Sequence, residues 1–308
     1  MGESVPTPEK SKCQYDDVKP GMKRSTWLTK ETIIWSKIIP YLGQRKVSEI
    51  TAKDVIDWQN TIRKLKNKAG KPISPTYLKT IHGQLSAIFN HAMKFYDLAA
   101  NPAQKAGTMG AEESKEMEFW TKEEYLKFSE AMMDKPLSYY AFELLYWCGV
   151  REGELLALSP SDFNFEKRTL RINKSYQRLE GEDVISTPKT KNSNRIVKMP
   201  QFLCNEMQDF FKQYYSLQPD DRIFPVTKYY LSHEMDRGCK ESGVKRIRVH
   251  DLRHPYVKPT TKNKLAAKAE IPNYQHEFDS LRFLLFCLDV QVAHDKQKPY
   301  SSNVTYVS

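Results

Sequence analysis

No stretch of this 308-residue chain is apolar for long enough to cross a membrane. The longest apolar run, Leu281 to Ala293, is interrupted by Arg282 and Asp289 and is well short of the ~20 residues a spanning helix needs. The opening Met1 to Lys10 is polar, so no secretory leader is expected there. Cysteine is sparse: Cys13, Cys148, Cys204, Cys239 and Cys287 are scattered and odd in number. None forms a CxxC pair or a Cys/His spacing suited to zinc, so reduced thiols in a cytoplasmic setting are expected, without a disulfide frame or a metal. No glycine-rich phosphate loop, internal repeat or low-complexity tract is present. No nucleotide or other small-molecule cofactor is expected.

What the chain does have is positive charge. Its 48 Lys and Arg outnumber 38 Asp and Glu, for a net charge of +10 and a pI near 9.1. A basic excess spread over a folded chain is the footprint of a polyanion partner, most commonly nucleic acid. A merely soluble basic protein would show the same sum. Apolar residues at 40% and charged residues at 28% mark a globular class. The length allows two domains.

Residues 1 to 14 read as a frayed terminus. Trp27, Ile33, Ile34, Ile38 and Ile39 stand near helix spacing from about Thr26 to Tyr41, with Pro40 at the end. Thr51 is a good N-cap for a second helix through Val55, Ile56 and Trp58, which leads into the basic loop Lys64 to Lys71. Ser74-Pro75 opens a third helix whose apolar face carries Leu78, Ile81, Leu85, Ile88, Phe89 and Met93. A shorter helix is expected near Phe95 to Ala99. Residues 15 to 100 therefore predict an all-α domain of about four helices. The polar stretch 101 to 118, with Gly107 and Gly110, predicts a linker.

Residues 119 to 308 predict a second domain. Thr121 and Glu124 have the spacing of a capping box, and Tyr139 to Cys148 predicts a buried helix ending at Gly149. Phe163 to Phe165, Thr169 to Ile172, Asp183 to Ile185 and Arg195 to Pro200 are short and partly alternating. Between them lie the turns Glu180-Gly181-Glu182 and Lys191 to Asn194. Together they predict a three-stranded antiparallel sheet. Helices are expected again over Phe202 to Tyr215 and Lys228 to Gly238.

Three places could carry chemistry. Arg151 stands in Gly149-Val150-Arg151-Glu152-Gly153-Glu154-Leu155, beside an apolar run. Buried charge must be paired, so Glu152 or Glu154 could hold it as a structural ion pair. His250 and Arg253, in Val249-His250-Asp251-Leu252-Arg253-His254, are three residues apart and share a face of any helical turn. A surface basic patch would look the same. Lys189, in Thr187-Pro188-Lys189-Thr190-Lys191, falls near the tip of the expected hairpin. It could donate a proton or clamp a phosphate, or simply be solvated.

These motifs, in this order, resemble those of the tyrosine recombinase (phage integrase) family, and the resemblance covers residues 15 to 254. It implies an all-α, SAM-like core-binding domain followed by an α+β catalytic domain: mainly α with a small antiparallel sheet. It implies metal-free strand exchange on double-stranded DNA through a 3′-phosphotyrosyl link, for integration or excision of a phage or mobile element. Arg151 and Arg253 would hold the non-bridging phosphate oxygens, and His250 would transfer a proton or donate to the phosphate. Lys189, or its neighbour Lys191, would protonate the leaving 5′-oxygen, and Glu154 would fix Arg151. Active members assemble as tetramers on paired sites; off DNA, a monomer is expected here.

Beyond His254 the chain departs from the family pattern. Pro255 could occupy a first turn of the expected helix, but Pro259, four residues on, would break its interior. His276 falls where the third basic residue would stand, without its glycine. Leu284-Leu285-Phe286 occupies the place of the nucleophilic tyrosine; Tyr274 comes early, and Tyr300 and Tyr306 come late. Three readings fit: an out-of-frame or rearranged tail over 255–308, a nucleophile displaced to Tyr300, or a DNA-binding remnant that cuts nothing. A fourth, more distant reading makes the chain a basic helical regulator whose Arg and His residues are structural. Reading the coding DNA in its other two frames tests the first. A Gly-His segment followed by a tyrosine is the expected recovery, and its absence removes that reading.

Overall fold

The computed structural model of the chain describes residues 21–111, 118–187, 194–213, 217–256 and 304–307. The chain divides into two compact units, Met1–Glu116 and Met117–Ser308.

The first unit opens with α1 (Arg24–Ile33), which runs through a π-helical turn, Ile34–Ile38, into α2 (Ile39–Leu42). The sequence predicted an end at Pro40. Proline has no N–H for the carbonyl four residues back. The chain answers by widening: the Ile39 N–H reaches the Ile34 carbonyl, and the helix continues past the proline. Trp58 Nε1 donates to the Lys37 carbonyl in this turn at 2.8 Å. Trp58 belongs to α3 (Ala52–Arg63), where Thr51 and Asp54 form a full capping box. Ser74 caps α4 (Pro75–Phe95) through the Tyr77 N–H. Leu78, Ile81, Leu85 and Phe89 are buried as the periodicity predicts, whereas Ile88 is only partly buried and Met93 is exposed.

The short helix expected near Phe95 to Ala99 does not form. The chain leaves α4 at Tyr96, and Asp97 takes φ 53°. The helix forms instead as α5 (Pro102–Ala106), inside the stretch expected as a linker. The start signal is Asn101-Pro102, a cap followed by a proline suited to the first turn. Ala103 and Met109 enter the core of this unit with 0% exposure. Gln59 Nε2 donates to the Gly107 carbonyl at 2.7 Å and lies 3.2 Å from His82 Nδ1. Desolvation lowers the pKa of His82 below its usual value.

The second unit is built on α7 (Pro136–Cys148), nearly all of whose residues are buried. It follows α6 (Lys122–Ala131), whose Thr121–Glu124 capping box is as predicted. Buried Glu143 of α7 accepts from Tyr125 Oη at 2.7 Å and Ser129 Oγ at 2.6 Å, tying the two helices together. Then come α8 (Glu152–Leu155), β1 (Phe163–Asn164), β2 (Thr169–Ile172), β3 (Ser175–Leu179), β4 (Glu182–Ser186) and β5 (Arg195–Lys198). The expected three-stranded antiparallel sheet is present as β1-β2-β5. The Asp183 to Ile185 strand is not part of it. It pairs with β3, which the sequence reading omitted, in a separate antiparallel hairpin. Glu180 and Gly181 turn this hairpin with φ 51° and 87°, the positive pair that a tight two-residue turn requires. Backbone Val304–Val307 (β6) adds parallel to β4.

Two further helices, α9 (Gln201–Gln213) and α10 (Lys228–Ser242), pack with α7 and α6 respectively. Gly238 was expected to stop α10, yet it lies within the helix. A Cβ there would stand 2.4 Å from a Phe128 ring carbon and 2.6 Å from Met132 Sδ. That glycine permits close helix packing; the helix ends at Gly243, φ 69°. The 3₁₀ turn Val249–Tyr256 then packs against α7.

Asn101 is the polar joint of the first unit. Its side chain accepts from the Ala103 and Gln104 N–H groups and donates to Ser86 and Asn90. Asn101→Ala should cost about 1–3 kcal/mol in that unit, by loss of the cap and of buried partners. A lowered urea midpoint in far-UV circular dichroism checks this; an unchanged midpoint refutes it.

Candidate functional site

Three backbone devices bring the chemistry-bearing side chains of the second unit together. Gly149 ends α7 in the left-handed conformation, φ 58°, and turns the chain so that Arg151 falls at the N-cap of α8. Buried Val150 and the apolar run Leu155 to Leu158 anchor both sides of this turn. Gly153 then lets α8 lie directly on β3: a Cβ there would meet Ser175 Oγ at 2.6 Å and the Tyr176 carbonyl at 3.0 Å. Arg222 locks the same strands from behind. It lies over the Tyr176 ring at 3.8 Å, pairs with Asp183 at 3.0 Å and donates to the Leu156 carbonyl at 2.8 Å.

Glu154 is the centre of the site. Its side chain is 7% exposed, and each oxygen accepts two hydrogen bonds. Oε1 takes Arg151 Nη1 at 2.8 Å and Arg195 Nη1 at 3.0 Å. Oε2 takes the Arg151 backbone N–H at 2.8 Å and Arg195 Nη2 at 2.7 Å. Desolvation alone would raise this carboxyl, but the Arg195 and Arg151 hydrogen bonds outweigh it and hold the pKa at about 2. Of the two acidic partners that the sequence offered Arg151, the structure selects Glu154. Glu152 is half-buried, and desolvation raises it against the attraction of Lys228 and Arg246.

The second arginine arrives on the 3₁₀ turn. Val249, Asp251 and Leu252 are buried, and Arg248 grips Asp251 through a two-point fork at 2.7 and 3.0 Å. Arg253 Nε donates to the Gly149 carbonyl at 2.7 Å, so it is tied to the very turn that presents Arg151. Desolvation lowers the pKa of Arg253, and the neighbouring charges of Arg151 and Arg195 lower it further against the pull of Glu154. Arg151, Arg195, Arg253 and Glu154 thus form one electrostatic cluster. His250 is exposed, one 3₁₀ turn before Arg253 and on the same face.

The structure therefore brings together Arg151, Glu154 and Arg253, with His250 on the Arg253 turn. Lys189, Lys191, Tyr274, His276 and Tyr300 lie outside the described residues. Tyr306 falls on β6, opposite Ile185 in register. Arg195 was missed, having been read only as the start of a strand. The available signal was Glu154 itself, because a carboxylate in so apolar a run must have its charge paired and both oxygens hydrogen-bonded. Among the described residues, no group of three or more His, Cys, Asp or Glu could hold a metal ion, and no helix is long and apolar enough to cross a membrane.

A helical unit followed by a helix-rich unit with two small sheets, the first antiparallel, is the fold this chain shares with solved integrases. With 19% identity and a TM-score of 0.66, the structure covers 92% of this chain and all of the solved chain of the Tn1549 transposon integrase in complex with a circular intermediate DNA. A lambda integrase dimer bound to a COC′ core site gives a TM-score of 0.55 at 21% identity, covering 79% of this chain and 85% of that one. In sequence, residues 15–63 match the phage integrase N-terminal SAM-like domain and residues 118–258 match the phage integrase family. The ICEBs1 integrase of Bacillus subtilis is 28% identical over 261 residues, 80% of this chain and 67% of its own. A XerC-like tyrosine recombinase of Caldanaerobacter subterraneus is 34% identical over 41% of this chain and 36% of its own length. The chain belongs to the tyrosine recombinase (phage integrase) family.

The depressed Glu154 pKa has a defined sign. An ordinary carboxyl titrates near 4.5 and this one near 2. Its ionisation therefore contributes stability that is complete above about pH 4.5 and is lost as pH falls towards 2. Glu154→Gln should be less stable than the parent at neutral pH and lose less stability across that acid window. Parallel acid slopes for the two proteins would refute the assignment.

Proposed function

We propose that the chain is a site-specific DNA recombinase that integrates or excises a phage or other mobile element. The observation that carries this is the Arg151–Arg253 pair, tied to one turn and left with net positive charge around Glu154. Two guanidiniums in that setting suit the non-bridging oxygens of a phosphodiester and offset charge as phosphorus becomes pentacoordinate. A tyrosine hydroxyl attacks the phosphorus, the P–O5′ bond breaks, and a 3′-phosphotyrosyl link forms. His250 assists the proton transfer or donates to the phosphate, and Lys189, with Lys191 as its neighbour and alternative, delivers a proton to the departing 5′-oxygen. The freed 5′-hydroxyl of a partner strand then reverses the step, so the bond energy is kept and no nucleotide is consumed.

The nucleophile is Tyr300 in this reading, with His276 as a further phosphate donor. The alternative is a DNA-binding remnant with no attacking residue, favoured by Leu284-Leu285-Phe286 at the family's nucleophile position. The partner is double-stranded DNA, on which the chain assembles as a tetramer, and the setting is the bacterial cytoplasm beside the nucleoid. The net charge of +10 supports salt-dependent phosphate contacts. The two units are the core-binding and catalytic domains.

Incubation with a nicked suicide duplex carrying the attachment site tests the proposal. A covalent adduct on a denaturing gel is expected, lost in Tyr300→Phe. Arg151→Ala and Arg253→Ala should cut adduct formation at least about a hundredfold while duplex binding persists. Salt-dependent binding without any adduct makes the chain a remnant, and no such binding at all overturns both readings.

A further inference from the structure

We propose that Arg195 is a positioning residue that, by gripping both oxygens of Glu154, keeps Arg151 available as a phosphate donor. This rests on the phosphate-binding reading of the Arg151–Arg253 site. Glu154 is buried and ionised, and an ionised carboxylate beside an arginine tends to close a two-point fork on it. Such a fork on Arg151 would neutralise that guanidinium and turn its donors inward. Arg195 takes the fork instead: Nη1 to Oε1 at 3.0 Å and Nη2 to Oε2 at 2.7 Å. Arg151 then spends one side-chain donor, Nη1, on Glu154. Its Nε and Nη2 make no hydrogen bond to other described residues, so four of its five donors are left unspent there, on a side chain that is half exposed.

Exposure separates the two roles. The Arg195 side chain is 28% exposed and that of Arg151 51%. Arg195 is the more covered of the two and Arg151 the more open to solvent. Charge points the same way. Three guanidiniums around a single carboxylate leave two positive charges uncompensated; without Arg195, one would remain. The sheet supplies the geometry, because Arg195 opens β5 and pairs across to Ile172 of β2, and this fixes its approach to Glu154.

The test uses the full chain and inorganic phosphate as the probe. Phosphate affinity comes from titration calorimetry, and the Glu154 carboxyl titration from carbon-13 NMR. Arg195→Leu should weaken phosphate binding about tenfold, as expected for the loss of one charge-assisted fork. The Glu154 midpoint should rise from about 2. Arg195→Lys, which keeps the charge and loses the fork, should fall between the two, and it decides the matter if the leucine variant does not fold. In a Glu154→Gln background, Arg195→Leu should weaken phosphate clearly less than in the parent, by the loss of one positive charge alone. Equal losses in both backgrounds would mean that Arg195 touches the anion directly, and unchanged affinity and midpoint would mean a purely architectural residue; either overturns the proposal. Phosphate binding with this dependence but no covalent DNA adduct leaves the Arg195 role intact and removes only the strand-cutting reading. Absence of phosphate binding in the parent chain removes both.

Discussion

The second unit depends on one buried carboxylate holding two arginines at once. Glu154 is costly to ionise in its surroundings, and it stays ionised because four hydrogen bonds converge on it. That constraint joins three parts of the chain that are distant in sequence. Arg151 comes from the end of α7, Arg195 from the start of β5, and Arg253 reaches the same turn through the Gly149 carbonyl. Removing the carboxylate would leave Arg151 and Arg195 as like charges without the partner that holds both.

The surrounding fold is arranged to deliver those groups with little freedom. Gly149 supplies a backbone angle that other residues adopt at a cost, and Gly153 supplies the missing Cβ that lets α8 rest on β3. Arg222, stacked on Tyr176 and bonded to Asp183 and to three carbonyls, fixes the floor beneath them. The 3₁₀ turn is pinned by buried Leu252 and by the Arg248–Asp251 fork, so the orientation of Arg253 is set by packing as well as by its own hydrogen bond.

Much of this was legible in the chain before any coordinates. Thr51, Ser74 and Thr121 announced their helices because a capping hydroxyl acts over three residues and needs no tertiary context. Arg151, His250 and Arg253 were legible because two short motifs in a fixed order carry a family signature. Arg195 was not, since the partner that gives it meaning lies 41 positions earlier and strand periodicity says nothing of ion pairs. Gly238 was misread for a similar reason: a glycine that stops a helix and one that admits a neighbouring ring look identical in sequence. The same holds for Asp183 to Ile185, whose alternation marks a strand without saying which sheet it joins. The helix expected near Phe95 to Ala99 forms six residues further on, where Asn101-Pro102 supplies a cap and a first-turn proline.

The π-helical turn at Ile34–Ile38 has a consequence for the history of the first unit. A turn with one residue more than the α-helical repeat is what a helix looks like after accepting a single-residue insertion without unravelling. Through and past it the buried Ile34, Ile38 and Leu42 keep an interval of four, so the core-facing side of the helix is preserved. Ile33 before the turn, Ile34 and Ile38 within it and Leu42 after it all reach the same core. A chain lacking one residue here would close an ordinary α-helical turn, and the Lys37 carbonyl that receives the Trp58 Nε1 proton would no longer stand in a widened turn.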